Sequence, residues 1–187
     1  MFEVFGVDAA AFLADLDAAG DPADGILIED RYADVVPALA ALVSTGHQVA
    51  VAANQPARAA ADLAALDVGV PLEVLVLSGI DGVAKPDPAL FRRVVKRAGR
   101  PASDITYVGD RLDNDVLPAL AAGMRAVLVR RGPWGVLHAR RPEAARATAV
   151  VDSLAELVPL LGGVAGGAER VGRRSDVDDA RERHGHR

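Results

Sequence analysis

The sequence predicts an α/β protein with a Rossmann-like parallel sheet and helices on both faces. Short apolar runs alternate along the chain with longer stretches in which apolar residues recur at helical spacing. The short runs are continuously apolar rather than alternating, which is typical of parallel strands buried on both faces. The chain has 187 residues and a hydrophobic content of 51%, which suits one domain with a sizeable core.

The first half of this core opens with a helix. Apolar residues lie on one helical face over 33–45, and Gly46 ends that helix. A buried strand over 48–53 follows and stops at Asn54, a residue type that favours turns. The next two predicted elements are a helix over 57–66 and a strand over 72–77.

The second half repeats this alternation. Asp87 is placed to cap a helix over 88–98, because its side chain can accept a hydrogen bond from the first turn. Ser153 is placed to cap the last helix in the same way. The remaining predicted elements are strands over 105–108, 125–129 and 149–151 and helices over 116–122 and 153–161.

Composition divides the chain into three regions. Residues 32–162 hold the α/β core. Residues 1–31 read as the remnant of a helical cap or an N-terminal extension, with a helix over 9–19 that Asp8 caps. Residues 163–187 are rich in Gly, Arg and Asp and nearly free of large apolar residues, which predicts a disordered tail.

Charge and composition exclude several classes of protein. The net charge of −5 argues against a nucleic-acid binder that works through a basic face. No apolar run approaches the roughly 18 residues of a membrane span. The chain has no cysteine, so disulfides and thiolate chemistry are excluded and a cytoplasmic setting is expected.

The predicted strand that ends at Val108 is followed by carboxylates. Ligands bind at the carboxyl ends of strands in open parallel sheets. Closely packed carboxylates repel one another unless a cation lies among them, and Mg²⁺ prefers such oxygen ligands. We therefore predict that Asp110 and Asp115 bind Mg²⁺, and that Asp113 and Asn114 serve as N-cap residues of the next helix.

Further polar groups follow the neighbouring strands. Asn54 ends the strand over 48–53, and Lys85 lies in the loop after the strand over 72–77. Because parallel strands bring their carboxyl ends to one edge, these groups are expected to converge with Asp110. An amide, an ammonium and a carboxylate-held cation together suit a phosphoryl group. Gln55 is expected to extend the phosphate contact of Asn54.

These motifs resemble those of the haloacid dehalogenase-like (HAD) hydrolase superfamily. The second motif of that family is an apolar strand ending in Ser, Thr or Asn, matched here by Asn54. The third is a Lys often followed by Pro, matched by Lys85-Pro86. The fourth is Gly-Asp with a second acid four or five residues later, matched by Gly109-Asp110 and Asp115. The resemblance covers about residues 32–161.

The first motif of the family is harder to find. It is Asp-x-Asp after an apolar strand, with the nucleophile first and the general acid/base second. Asp15-Leu16-Asp17 is the single Asp-x-Asp before Asn54, but its surroundings over 9–19 have helical composition. We expect the first strand and its nucleophile to be missing, through loss or a start codon assigned too late. The alternative is that Asp15 is a degenerate nucleophile. Without that strand, its neighbours would expose apolar edges.

The resemblance implies a Mg²⁺-dependent hydrolase, and above all a phosphatase of a small phosphorylated metabolite that works through an aspartyl-phosphate. It implies that Asp110 and Asp115 bind the metal. It also implies that Lys85 neutralises the developing charge and fixes the nucleophile, and that Asn54 donates a hydrogen bond to a phosphate oxygen. The alternative is a catalytically inactive HAD-like binding module. A receiver domain is disfavoured, because its acidic pair should follow the first strand and its lysine the last. The substrate and the oligomeric state are left open.

The segment after the strand over 125–129 carries fewer functional expectations. Arg130 and Arg131 are expected on a solvated surface. Trp134 is expected to pack over the sheet end rather than to wall a substrate pocket, and His138 is expected in a loop.

Overall fold

The computed structural model describes residues 31–162, in which helices alternate with parallel strands. The helix expected over 9–19, the Asp15-Leu16-Asp17 motif and the tail over 163–187 lie outside these residues. The strands are β1 (Ala50–Ala53), β2 (Glu73–Leu77), β3 (Thr106–Gly109), β4 (Arg125–Val129) and β5 (Ala149–Val151). The α-helices are α1 (Val35–Ser44), α2 (Ala59–Ala65), α3 (Ser78–Asp81), α4 (Pro88–Ala98), α5 (Leu117–Ala121), α6 (Gly132–His138) and α7 (Leu157–Gly162). None of the described helices has the length and apolarity needed to cross a membrane.

The strands form two parallel sheets. β1 pairs with β2, and β3, β4 and β5 form a second sheet in that order. Within residues 31–162 no strand joins β1 to β3, so the single expected sheet is divided. The hydroxyl of Tyr107 on β3 donates to the carbonyl oxygen of Ala52 on β1 at 2.9 Å and links the two sheets.

Both faces of the second sheet are covered, as the continuously apolar strands predicted. Successive side chains of a strand point to opposite faces. Ala126 and Leu128 of β4 are buried in one core cluster, with α4 and α5. Val127 and Val129 are buried in the other, with α1 and α7. The predicted α/β fold with helices on both faces is confirmed.

Most predicted elements are found within two residues of their predicted bounds. The helix over 88–98 is confirmed as α4, and the Asp87 carboxylate accepts the Ala89 N–H at 2.8 Å as its cap. The segment directly after β2 contains the one-turn helix α3.

The N-caps expected at Asp113 and Asn114 are wrong. A π-helical turn over Leu112–Val116 precedes α5, so both residues lie inside a helical turn, and Arg111 is the residue before it. The sequence pattern did not predict that the helical region begins at Leu112, because Asp113 and Asp115 interrupt the apolar periodicity of this turn.

The helix α6 was not predicted. Gly132 adopts a positive φ of 67°, and Pro133 occupies the first turn, where the fixed φ of proline suits a helix. Gly135 lets the helix approach the end of β4, because a Cβ there would lie 2.3 Å from the Val129 carbonyl oxygen. Glycine and proline usually mark loops, so the Gly-Pro-Trp-Gly stretch carries no local signal for a helix.

Candidate active site

Lys85 is the centre of the candidate site at the carboxyl ends of β1 and β3. Its ammonium Nζ donates to Asp115 Oδ1 at 2.6 Å. Both side chains are largely buried, with 15% of Lys85 and 4% of Asp115 exposed. The Lys85 Nζ also lies 5.7 Å from the centroid of the Tyr107 ring. The structure therefore brings together residues that follow different strands, as the parallel topology predicts.

Asn54 holds the backbone of Lys85. Its Oδ1 accepts the Lys85 N–H at 2.7 Å, and its Nδ2 donates to the Lys85 carbonyl oxygen at 3.0 Å. These two bonds fix the loop that carries the lysine. Gln55 follows, and its carbonyl oxygen accepts the Gly79 N–H at 2.9 Å and the Ser78 hydroxyl at 3.2 Å. The amide of Asn54 is thus a bridge between the end of β1 and the lysine loop.

Asp115 is anchored on both carboxylate oxygens. Besides the lysine on Oδ1, its Oδ2 accepts the Arg111 N–H at 3.1 Å. Gly109 makes room for this arrangement, because a Cβ at position 109 would lie 2.5 Å from Asp115 Cβ. The Gly-Asp pair of the sequence therefore has a steric reason: only glycine permits Asp115 to pack against the end of β3.

Asp110 completes the acidic pair. Burial, and then the negative charge of Asp115, raise the pKa of Asp110 above its ordinary value of 3.8. The charges of Lys85 and Arg111 oppose this rise. A carboxylate that is partly desolvated beside another carboxylate gains from a nearby cation.

The donor set suits Mg²⁺, since this ion takes one or two carboxylates and completes its shell with water and phosphate oxygens. Asp110 and Asp115 are hard oxygen donors on one short loop. No cluster of three or more His, Cys, Asp or Glu side chains with metal-binding geometry occurs in residues 31–162. The carboxylates described here fit a two-carboxylate site, with Lys85 already beside Asp115.

Three further residues make contacts at this segment that the sequence did not predict. The guanidinium of Arg111 forms a bidentate pair with Asp113 at 3.0 and 2.7 Å and lies 4.4 Å from the centroid of the Trp134 ring. His138 was expected in a loop, but it ends α6, is 1% exposed and accepts the Leu112 N–H on Nδ1 at 2.8 Å. The available signal was the spacing of Trp134 and His138, because residues four apart share a helix face.

Two arginines expected on a solvated surface form ion pairs. Arg130 pairs with Asp152 at 2.6 Å, and both side chains are more than half exposed, which agrees with the expectation. Arg131 pairs with Asp34 at 2.8 Å with about a fifth of each side chain exposed, so the expectation is wrong for this residue. The Asp34 carboxylate also accepts the Leu154 N–H, and this network joins the start of α1 to the loop after β5.

Several known proteins resemble this chain in sequence. A family model described as HAD-hydrolase-like matches residues 82–157. Glyceraldehyde 3-phosphate phosphatase of Methanopyrus kandleri is 34% identical over 113 residues, 60% of this chain and 48% of that protein. Phosphoglycolate phosphatase 1 of Pseudomonas aeruginosa is 33% identical over 138 residues, 73% of this chain and 49% of that protein. The chain spans about half the length of these curated relatives.

A solved structure extends the likeness to the fold. The crystal structure of a HAD phosphatase from Thermococcus onnurineus superposes with a TM-score of 0.59 at 24% identity, covering 87% of this chain and 69% of that one. Together with the matched motifs, these similarities place the protein in a known class: the chain belongs to the haloacid dehalogenase-like hydrolase superfamily.

Proposed function

We propose that this chain is the core of a cytoplasmic, Mg²⁺-dependent phosphatase that hydrolyses a small phosphorylated metabolite through an aspartyl-phosphate. The observation that carries the proposal is the Lys85 ammonium, held 2.6 Å from Asp115 at the strand ends beside Asp110. The curated relatives that are named phosphatases support the same reaction class. In this proposal residues 32–162 form the catalytic core, and residues 1–31 belong to a partial helical cap.

Each described side chain has a role that follows from its contacts. Lys85 stabilises negative charge on the phosphoryl oxygens, because a fixed cation in a partly buried site loses little to solvent screening. Asp115 orients that ammonium. Asn54 fixes the lysine loop through its peptide group and keeps one N–H for a phosphate oxygen, with Gln55 beside it. Asp110 and Asp115 would hold Mg²⁺, which supplies charge neutralisation and orients the phosphoryl group when bound.

The nucleophile is assigned outside residues 31–162. A carboxylate oxygen attacks phosphorus, the bond from phosphorus to the leaving oxygen breaks, and the leaving group takes a proton. Water then cleaves the acyl-phosphate, which returns the carboxylate and releases inorganic phosphate. The divided sheet, with β1 and β3 unpaired along one edge in the described residues, fits a fold whose first strand is supplied from outside them.

The test is phosphate release from a panel of small phosphomonoesters with Mg²⁺ and with a chelator. We expect Lys85→Met and Asp110→Asn to lower kcat/KM by about 10²-fold or more. The matched controls are Lys96→Met on the exposed side of α4 and Asp104→Asn, which is exposed before the start of β3. Both controls should retain wild-type rates. Equal losses in the controls and the site variants would contradict the site assignment.

The second candidate is a catalytically inactive binding module with the same fold. The sequence favours this candidate because it has no clear match to the first motif of the family. An inactive module should bind Mg²⁺ or phosphate without turnover. If the wild-type chain is active, Asp15→Asn tests the nucleophile: abolished turnover assigns Asp15. Unchanged turnover in Asp15→Asn would assign another carboxylate. If the chain is inactive, the intact mass of the protein from its native cells is measured. A mass several kilodaltons above 19.4 kDa would show a longer product with room for the first motif.

A further inference from the structure

We infer that His138 is a positioning residue for the acidic loop, which is the segment over 110–116. Its imidazole holds the backbone of this loop, and this contact sets how strongly Asp110 and Asp115 bind Mg²⁺. The inference deepens the proposed function and rests on its metal site. Its basis is the hydrogen bond from the Leu112 N–H to His138 Nδ1 at 2.8 Å, made by a side chain that is 1% exposed.

The contact is made at Leu112, which lies between Asp110 and Asp115 in the chain. Leu112 starts the π-helical turn, and the N–H groups of Asp115 and Val116 both donate to the Arg111 carbonyl oxygen. The first N–H groups of a helical turn have no partner within the turn itself. His138 satisfies one of them from a different element, α6, so it ties the loop after β3 to the helix after β4.

The chemistry of the imidazole agrees with this role. Nδ1 can accept a hydrogen bond only in the neutral form, with the proton on Nε2. Burial lowers the pKa of His138, and the nearby cations Arg141 and Arg111 lower it further, while Asp113 and Asp110 oppose them. The site is therefore built to keep the acceptor that the Leu112 N–H needs.

A second contact from the same helix secures the outer side of the loop. Trp134 lies four residues before His138, and their rings are 5.5 Å apart. The guanidinium of Arg111 stacks on the Trp134 ring and pairs with Asp113. Helix α6 thus contacts two successive residues of the loop, Arg111 through a ring face and Leu112 through a hydrogen bond. Metal ligands commonly depend on such outer contacts for their orientation.

The experiment compares His138→Asn with His138→Leu in the full chain. Asparagine keeps an acceptor near the position of Nδ1, whereas leucine has none. The Mg²⁺ dissociation constant is measured by calorimetry, and deuterium exchange is measured at the Leu112 amide. We expect His138→Leu to speed Leu112 exchange and to weaken Mg²⁺ binding by about 10-fold or more. His138→Asn should stay within about threefold of wild type in both measurements. His138→Gln, whose amide reaches the Nε2 side, replaces the leucine variant if that variant does not fold.

A destabilising control separates positioning from a purely structural role. Leu161→Ala removes a buried side chain of α7 in the other core cluster. Equal weakening of Mg²⁺ binding by Leu161→Ala and His138→Leu would overturn the inference, as would unchanged Leu112 exchange in His138→Leu. Wild-type protein that binds no Mg²⁺ would overturn the metal part here and in the proposed function. Leu112 exchange alone would then confirm or refute the hold of His138 on the loop.

Discussion

The chemistry of the candidate site is concentrated in one buried ion pair. Lys85 and Asp115 meet at 2.6 Å with little solvent exposure. Such a pair contributes little net stability, because the cost of removing both charges from water offsets their attraction. Removal of one partner, however, strongly destabilises the fold, since it leaves the other charge buried and uncompensated.

The substitution Lys85→Met tests whether loss of one partner of the Lys85–Asp115 pair destabilises the fold. We expect it to lower the free energy of unfolding by about 3 kcal/mol, because within residues 31–162 Asp115 keeps only the Arg111 N–H as a hydrogen-bond partner. Urea unfolding followed by circular dichroism measures the change. Lys96→Met on the exposed side of α4 should change stability by less than about 0.5 kcal/mol. A loss in Lys85→Met no larger than in this control would show that the pair is solvated.

His138 gives the folded chain a pH dependence. Burial lowers its pKa below the ordinary value of 6.5, so the unfolded chain binds a proton more readily than the folded chain. The free energy of unfolding should therefore decrease as pH falls from 7.5 to 5.5, and should be nearly flat above that range. Urea unfolding at several pH values measures this. His138→Asn, which cannot titrate, should lose less stability over the same interval, and equal losses in both proteins would contradict the assignment.

Between elements, close approach of backbone and side chain shapes the site. The end of β3 and the turn over Leu112–Val116 meet at Gly109, where a methyl group would lie 2.5 Å from Asp115. The same principle applies at Gly135, where α6 crosses the end of β4. Glycine at both positions is explained by contact with another part of the chain.

The substitution Gly109→Ala should displace Asp115 and with it the partner of Lys85. We expect a loss of about 1–3 kcal/mol in the free energy of unfolding from overpacking. We also expect weaker Mg²⁺ binding, measured by calorimetry. Gly162→Ala is the matched control, because a methyl group there meets no atom within 4 Å. A wild-type Mg²⁺ affinity in Gly109→Ala would refute the steric link between Gly109 and Asp115.

For the molecule as a whole, the division of the sheet is the main feature. β1 and β3 end beside each other at the site, yet no described strand lies between them. The Tyr107 hydroxyl and the Lys85 ammonium cross from one half to the other. Side chains, rather than a backbone ladder, therefore join the two halves within residues 31–162.

Tyr107→Phe tests how much the hydrogen bond from Tyr107 to Ala52 contributes to the free energy of unfolding. It removes the hydroxyl that reaches the Ala52 carbonyl oxygen and should lower the free energy of unfolding by about 1 kcal/mol. The ring should stay in place, because it packs on Phe91 at 5.2 Å between ring centroids. Tyr32→Phe, which alters a ring that is 54% exposed, should have almost no effect on urea unfolding. An equally small effect of Tyr107→Phe would mean that the hydroxyl bond does not stabilise the junction.

Local sequence patterns were enough to predict the fold class, the order of most elements and the acidic segment that starts at Asp110. Continuous apolar runs and helical spacing are local signals, and the parallel order then brings the loops that carry Lys85 and Asp110 to one edge. The contacts of each side chain, by contrast, depend on how distant segments pack together. The bidentate hold of Asn54 on the lysine loop and the burial of His138 under the acidic loop join residues far apart in the chain. The division of the sheet likewise depends on which strands pair, and pairing between distant segments leaves no local pattern in a single sequence.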